Sequence, residues 1–368
     1  MTRLILLITW SILMATAPIE ARAAALIGGY WERTAADANA ALARAVRDLA
    51  ANPEASSPRW RALRAARVAE EIARLVERTG GESRAALLAS LAQTSREGRQ
   101  LAGAQLRQLG TERVERALDL GPGTIKDAGP RLEDVRAVAL DSAARLEEAA
   151  GDHAARAQRV FRSFSDGPLS GVAKETAVNE AIVRGLTSGD PRVAERAIRA
   201  QIGDLTDEQI EITAEYRRVG RQIIEVGNAQ MSVRAYAEMV TRTRMREATE
   251  SGSRAQQQEY GIELVVIDGA NSRNFCTRYL GLVCALTREA TDGGRYPLLS
   301  SLPGQDGARA RGAGGPPWHP NCTKSTSPWV EGVMPDELEE QARRSATNYQ
   351  RDVSAGRLGS DIGARERR

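Results

Sequence analysis

The stretch Gln256-Gln257-Gln258-Glu259-Tyr260-Gly261-Ile262-Glu263-Leu264-Val265-Val266-Ile267 marks the point where the sequence changes from helix-forming to strand-forming. Glutamine and glutamate favour helices, whereas the run from Ile262 to Ile267 is rich in β-branched residues. Gly261 precedes this run and Asp268-Gly269 follows it, which is typical of a short strand. We therefore predict a mainly α protein, in which a long helical region precedes a small α+β module with a short sheet and long loops.

Upstream of this stretch, apolar residues repeat at helical spacing from about residue 30 to residue 258. Proline and paired glycine end helices, which predicts breaks at Pro53 and Pro58 and at Gly80-Gly81. Turn-rich segments at 121–134 and 165–171 predict two further breaks. Short helices at 172–186 and 192–202 form a predicted hairpin, which we interpret as structural packing, with DNA recognition as the alternative.

The clearest predicted helix runs from Asp207 to Asn228. Its apolar residues follow a 4-3-4-3 spacing, which would form one continuous seam on a helix. A seam of this kind packs on partner helices or on a second subunit. The pattern predicts self-association through the following residues: Ile212, Tyr216, Val219, Ile223 and Val226.

Downstream, Leu282–Leu286 is a second strand candidate, and Trp329-Val330 suggests a third. Residues 287–317 are rich in Gly, Pro, Arg and Asp and are predicted to be mostly loop. The tail from Pro335 is predicted to start as a helix and to end in a disordered polar stretch. The sequence thus divides into five predicted segments: an apolar N-terminal segment at 1–25, helical regions at 26–165 and 166–258, the small module at 259–334, and the tail at 335–368.

The N-terminal segment has the outline of a secretory signal peptide. A short basic start precedes an apolar run from Leu4 to Ala15, and Ala21-Arg22-Ala23 offers a small-residue cleavage site. The stretch Pro18-Ile19-Glu20 and the weakly charged start argue against export. A misassigned start, a buried N-terminal helix or a membrane-active segment are alternative interpretations of the same run.

Composition limits the function classes. The net charge of +3 is too small to indicate a nucleic-acid partner through the field of the whole protein. Aromatic residues make up only 4% of the chain, which argues against a stacking platform for single strands. Three cysteines are too few, and odd in number, for a disulfide framework.

All three cysteines and one of the two histidines lie in one C-terminal window. In this window the run Pro316-Pro317-Trp318-His319-Pro320-Asn321-Cys322 lies about forty residues after Cys276. Thiolates and an imidazole suit a tetrahedral zinc ion, and the window supplies four candidate ligands. Cys276 lacks the usual second ligand separated from it by two residues, however, because position 279 is Tyr. The candidate metal ligands are Cys276, Cys284, His319 and Cys322.

Three other interpretations fit the same window. Cys276 could be a nucleophile with His319 as its base, although only Asn321 offers a candidate oxyanion partner. A disulfide between Cys276 and Cys322 would need an oxidising compartment. The interpretation we favour is a structural lock, in which the Pro-rich run clamps the loop after residue 287 onto the small module.

Four pieces of the region Tyr236–Glu331 stand out together: the helix from Tyr236 to Ala248, the strand from Tyr260 to Ile267, the turn from Cys276 to Val283, and the ending from Pro316 to Cys322 with Ser327–Glu331. In this order they resemble the C-terminal module of phage minor capsid proteins, the head morphogenesis proteins similar to phage Mu protein F and the minor capsid protein 2 group. The sequence departs from the family pattern at Tyr279 and at Thr323-Lys324, which leaves fewer Cys and His than family members often carry.

The resemblance implies a low-copy, non-enzymatic virion component that acts near the portal in head assembly, DNA packaging or ejection. Its implied partners are the portal and other capsid proteins, with phage DNA as a further candidate and no small-molecule substrate. It would assemble in the host cytoplasm, and no cofactor is expected apart from the zinc alternative. Two rival functions stay open: an exported effector with a C-terminal toxin or enzyme module, and a zinc-stabilised nucleic-acid-binding module.

Overall fold

The computed structural model describes residues 2–121, 132–226, 229–303, 315–320 and 322–358. They form a mainly α-helical protein with small sheets near the C-terminus, which confirms the predicted fold class. The helices are α1 (Thr2–Ala51), α2 (Pro58–Leu109), α3 (Thr111–Ala117), α4 (Leu132–Ser165), α5 (Thr176–Ser188), α6 (Arg192–Ile202), α7 (Asp207–Gly220), α8 (Val233–Glu259) and α9 (Asp336–Ser354). The strands are β1 (Ile223–Val226), β2 (Ala229–Ser232), β3 (Leu264–Gly269), β4 (Val283–Ala285) and β5 (Lys324–Trp329).

The chain forms two compact units, each assembled from separate segments. The helical unit consists of Ala24–Leu87 and Leu140–Val240. The sheet unit consists of Met1–Ala23, Leu88–Ala139 and Thr241–Arg368. Most of the predicted break at 121–134 and the last ten residues of the polar tail lie outside the described residues.

The apolar N-terminal run forms the start of α1, which continues through Pro18 to Ala51. Later in the same helix, Ala24, Ile27 and Trp31 are buried. Within the described residues, no helix combines the length and the apolar character that crossing a membrane requires.

The core of the helical unit is an apolar cluster to which six helices contribute: α1, α2, α4, α5, α6 and α7. In this cluster Phe164 packs edge-on against Tyr216, with the ring centroids 5.8 Å apart. The Tyr216 hydroxyl donates to the Ile182 carbonyl at 2.9 Å, so its one polar group is satisfied inside the core. Helices α5 and α6 also contribute to this core, through Leu186, Ala194 and Ile198 among others.

The predicted helix break at Gly80-Gly81 is wrong, because α2 runs without interruption from Pro58 to Leu109. Glycine costs a helix about 1 kcal/mol relative to alanine, which surrounding structure can offset. A Cβ at Gly80 would lie 2.5 Å from the Oε1 atom of Glu147 in α4, so this glycine leaves room for the Glu147 side chain. Gly81 has no neighbour within 4 Å of its Cβ position.

The predicted helix from Asp207 to Asn228 is also wrong in its second half. A capping box at Thr206 starts α7, but the helix ends at Gly220. Gln222 then adopts a left-handed conformation with φ of 55°. Strands β1 and β2 follow as an antiparallel pair in which Val226 lies opposite Ala229. Only two residues connect these strands, and Gly227-Asn228 is a dipeptide of the kind that favours two-residue hairpin turns.

The continuous docking seam from Ile212 to Val226 therefore does not exist. Tyr216 and Val219 are fully buried in the core of the helical unit, and Ile212 packs against that core. Ile223 and Val226 belong to strand β1 instead. Residues that are buried within one chain cannot bind a second copy, so this basis for self-association is removed.

The sheet unit contains an antiparallel sheet with the strand order β4-β3-β5. On β3, Val265 and Ile267 face a core that also contains Phe275 and Leu299. Leu264 and Val266 pack on the other side, against a second cluster around Trp329. Both faces of this short strand are covered, which explains its continuous apolar sequence.

Helices α2 and α8 make a close crossing in the sheet unit. A Cβ at Gly98 would lie 2.1 Å from the carbonyl oxygen of Thr249, and a Cβ at Gly252 would lie 2.3 Å from that of Ser95. The two helices thus contribute matching pairs, Ser95 with Gly98 and Thr249 with Gly252. The backbones can approach this closely only because both glycines lack side chains.

Candidate metal centre

Three of the four predicted ligands lie together in the sheet unit. The ligand atoms of Cys276, His319 and Cys322 all lie within 4.8 Å of one another. The Cys276 Sγ atom lies 3.2 Å from the His319 Nε2 atom. Both cysteines are buried, and the histidine is partly exposed.

Cys284 lies apart from this group. It is fully buried in β4, and its Sγ atom contacts the Leu282 carbonyl oxygen at 3.9 Å. Burial raises the pKa of its thiol, so the thiolate form that binds metals is disfavoured there.

Two short turns position the group. Cys276 belongs to a 3-10 helix, Phe275–Tyr279, which follows β3. On the other side, the Cys322 N–H donates to the His319 carbonyl at 3.1 Å and closes a tight turn. This turn places a histidine and a cysteine three positions apart on one side of the site. Asn321, the predicted oxyanion partner, lies outside the described residues.

A backbone hydrogen bond determines which His319 nitrogen faces Cys276. The Nδ1 atom lies 2.8 Å from the Pro320 carbonyl oxygen. A carbonyl can only accept, so Nδ1 carries the proton and the lone pair of the neutral ring resides on Nε2. Nε2 also has the Asn274 side-chain nitrogen at 3.5 Å. The histidine therefore presents a lone pair to the two cysteines.

Aromatic side chains enclose the site. The rings of Trp318 and Tyr279 lie with their centroids 5.0 Å apart, and Phe275 packs edge-on against His319 at 5.7 Å. The Tyr279 hydroxyl donates to the Pro303 carbonyl at 2.9 Å. Tyr279 thus contacts both Trp318 of the Pro-rich turn and the backbone at Pro303.

The two cysteines titrate differently. A hydrogen bond with Cys276 lowers the pKa of Cys322 well below the usual thiol value. The same pairing with Cys322, together with burial, raises the pKa of Cys276. The hydrogen bond to Cys322 raises the pKa of His319. The site therefore holds thiolate character on Cys322, whereas the predicted nucleophile, Cys276, is held in its protonated and unreactive form.

Two cationic side chains near the site were not identified from the sequence. The ammonium group of the buried Lys324 donates to the Ala270 carbonyl at 2.6 Å. Its positive charge acts to lower the pKa of both Cys276 and His319. Arg246 in α8 donates to the Cys322 carbonyl at 2.8 Å and also pairs with Glu20 at 3.2 Å. These contacts link the turn at His319 to two helices. A scattered arginine or lysine gives no sequence signal of such a role.

The sequence also carries no signal for two carboxyl groups: Glu250 is buried in α8, and Asp268 is half-buried on strand β3. The Glu250 carboxylate accepts hydrogen bonds from the Thr326 backbone N–H at 2.9 Å and from its hydroxyl at 2.7 Å. The Asp268 carboxylate accepts from Ser325 and from Ser327. Burial raises the pKa of Glu250 to about 7 and that of Asp268 to about 6.

All three cysteines are free thiols, so the predicted Cys276–Cys322 disulfide is not formed in this structure. The chemistry available to the group is therefore that of two thiols and one imidazole in a partly enclosed site. Such a set can bind a soft or borderline metal ion, or can serve as a hydrogen-bonded lock.

The region that contains this site matches a known protein family. Residues 191–357 match the family described as phage minor capsid protein 2. This region is therefore similar to the phage minor capsid protein 2 family. The match begins just before α6 and ends just after α9, so it includes the β1–β2 hairpin, helix α8 and the whole three-stranded sheet.

This match confirms the resemblance seen in the sequence and supports a phage structural protein. The four motif pieces lie within the matched region, on α8, β3, the 3-10 helix at Phe275–Tyr279 and the segment that leads into β5. No curated protein matches the chain, and no solved structure matches it.

Proposed function

We propose that the protein is a low-copy component of the phage head that acts near the portal, in head assembly or in DNA packaging or ejection. The observation that supports this role is the match of residues 191–357 to the minor capsid protein 2 family. A minor component serves a few sites of a particle, and the portal vertex is the natural place where few copies suffice.

The proposed partners are the portal and other capsid proteins. Phage DNA is a weaker candidate, because a net charge of +3 gives little long-range attraction to phosphate. We propose no small-molecule substrate and no catalytic role.

The proposed location is the virion, after assembly in the host cytoplasm. The segment before residue 24 contributes a contact to the sheet unit, since Glu20 is buried and pairs with Arg246. Cleavage after Ala23 would remove this partner of Arg246. An exported effector is the rival, and it predicts free protein in the medium that begins near residue 24.

Cross-linking of purified heads tests the portal role. We expect cross-links between residues 191–357 and the portal protein, detected by mass spectrometry of digested particles. An in-frame deletion of the gene is expected to yield heads that are misassembled or lack DNA, with rescue by the wild-type gene. Fully infectious particles from the deletion strain, or cross-links to capsid proteins but none to the portal, would refute it.

A further inference from the structure

We propose that Cys276, His319 and Cys322 bind one Zn²⁺ ion through two thiolates and one imidazole, with the fourth position open to solvent. The first argument is distance. Zinc bonds of about 2.3 Å to sulfur and about 2.0 Å to nitrogen place tetrahedral ligand atoms about 3.5–3.8 Å apart. The observed sulfur–nitrogen distance is 3.2 Å, and all three ligand atoms lie within 4.8 Å of one another. Shifts of well under 1 Å in each side chain would complete the geometry.

The second argument is the tautomer of His319. Metal-binding histidines usually donate their second ring N–H to a carbonyl or carboxylate, which orients the ring and directs the other lone pair at the metal. The Pro320 carbonyl supplies that partner for Nδ1 at 2.8 Å. Nε2, the atom beside Cys276, is therefore the free ligand atom without any change of tautomer.

The third argument is the way the backbone holds the ligands. His319 and Cys322 stand at the two ends of a turn closed by a 3.1 Å backbone hydrogen bond. Two ligands separated by two residues are the spacing that structural zinc sites use on such turns. Cys276 comes from a separate 3-10 helix, so the ion would join two segments that lie far apart in sequence.

The fourth argument is that the charge and the chemical type of the ligands suit Zn²⁺. Two thiolates neutralise a divalent cation, and sulfur with imidazole favours zinc over calcium or magnesium. Lys324 does not compete for the thiolates, because its ammonium donates to Ala270, Ser272 and Thr323. Among the described residues, only these three form a group of metal-binding side chains.

Titration of the full-length protein with Co²⁺ tests the site. The protein is prepared without a histidine tag and under reducing conditions. We expect about one Co²⁺ per chain, with thiolate-to-cobalt charge transfer, visible bands of tetrahedral type and displacement by Zn²⁺. Zn²⁺ is also expected to raise the melting temperature, because the ion binds the folded state.

Matched variants assign the ligands. Cys322→Ser and His319→Gln are expected to weaken binding by more than the roughly 10–100-fold that loss of an outer partner costs. Cys284→Ala removes the remaining thiol and is expected to keep the cobalt spectrum unchanged. If Cys322→Ser fails to fold by circular dichroism, the partly exposed His319→Gln decides.

Three results would overturn the proposal. The first is a folded, reduced wild-type protein that binds neither Co²⁺ nor Zn²⁺. The second is a loss of binding in Cys284→Ala as large as that in Cys322→Ser. The third is purified protein in which Cys276 and Cys322 form a disulfide and which, once reduced, still binds no zinc. The two cysteines would then serve as a covalent cross-link and not as metal ligands.

Discussion

At the scale of single residues, Glu250 and Asp268 give the sheet unit a dependence on pH. The Glu250 carboxyl ionises near pH 4.5 in an unfolded chain, but burial raises its pKa to about 7 in the folded protein. The folded state therefore keeps a proton that the unfolded state releases. The free energy of unfolding is therefore highest below pH 4.5 and falls as the pH rises to about 7.

The variant Glu250→Gln isolates this effect. Glutamine can still accept from Thr326 but does not ionise. The stability of the wild type relative to the variant is expected to fall by about 1–3 kcal/mol between about pH 5 and about pH 8. Urea unfolding at the two pH values measures it. An equal difference at both would show that the carboxyl is not buried as described.

Gly98 gives a second residue-scale prediction. Alanine at this position would place its Cβ 2.1 Å from the Thr249 carbonyl oxygen, which is backbone and cannot move aside cheaply. We expect Gly98→Ala to destabilise the protein by about 1–3 kcal/mol, as overpacking does.

Gly81→Ala, in the same helix, is the control for Gly98→Ala. It meets nothing within 4 Å and should stabilise by about 0.5–1 kcal/mol through helix propensity. Thermal unfolding of both variants gives the comparison, and changes of the same sign would argue against the close crossing of α2 and α8.

Only part of the candidate site can be predicted from the sequence. The spacing of His319 and Cys322 is readable in the sequence, because both lie on one turn. The pairing with Cys276 rather than Cys284 depends on how the 3-10 helix after β3 packs, which no local spacing encodes. Lys324 and Arg246 could not be identified, since their contacts are long-range.

At the scale of elements, strand β3 and helix α8 follow from local sequence, whereas the end of α7 does not. Ile223 and Val226 continue a helical apolar spacing, yet they lie in a hairpin. The sequence signal for the hairpin is the dipeptide Gly227-Asn228 between the two short strands. The helical period was followed past a turn dipeptide, and that produced the error.

Gln222 tests the hairpin directly. Its φ of 55° is a conformation that glycine adopts at lower cost than glutamine. We expect Gln222→Gly to stabilise the protein by about 0.4–1 kcal/mol. A continuous helix would respond in the opposite direction, with a loss of about 1 kcal/mol. The sign of the change in the denaturant midpoint distinguishes the two.

At the scale of the whole molecule, the units are built from distant segments, and this could not be deduced from the sequence. In the sheet unit, Leu106 and Val114 share a cluster with Tyr260 and Val330. The Gln105 side chain also donates to Ser327 at 3.0 Å. Apolar periodicity predicts each helix but does not reveal which helices share a core.

A fragment limited to residues 191–357 is therefore expected to be unstable, although it covers the family match. It lacks the parts of α2 and α3 that complete the core of the sheet unit. We expect no cooperative melting transition in calorimetry of the fragment, in contrast to the full chain. A sharp transition near that of the full chain would mean that residues 88–139 are dispensable.

We propose that this chain is a minor structural protein of a phage head. Quantitative mass spectrometry of purified virions tests it most directly, with peptides from residues 191–357 measured against those of the major capsid protein. We predict that the protein is present in every preparation at a small fraction of the major capsid protein. Its absence from purified virions, or its recovery only as free protein in the medium, would contradict the account.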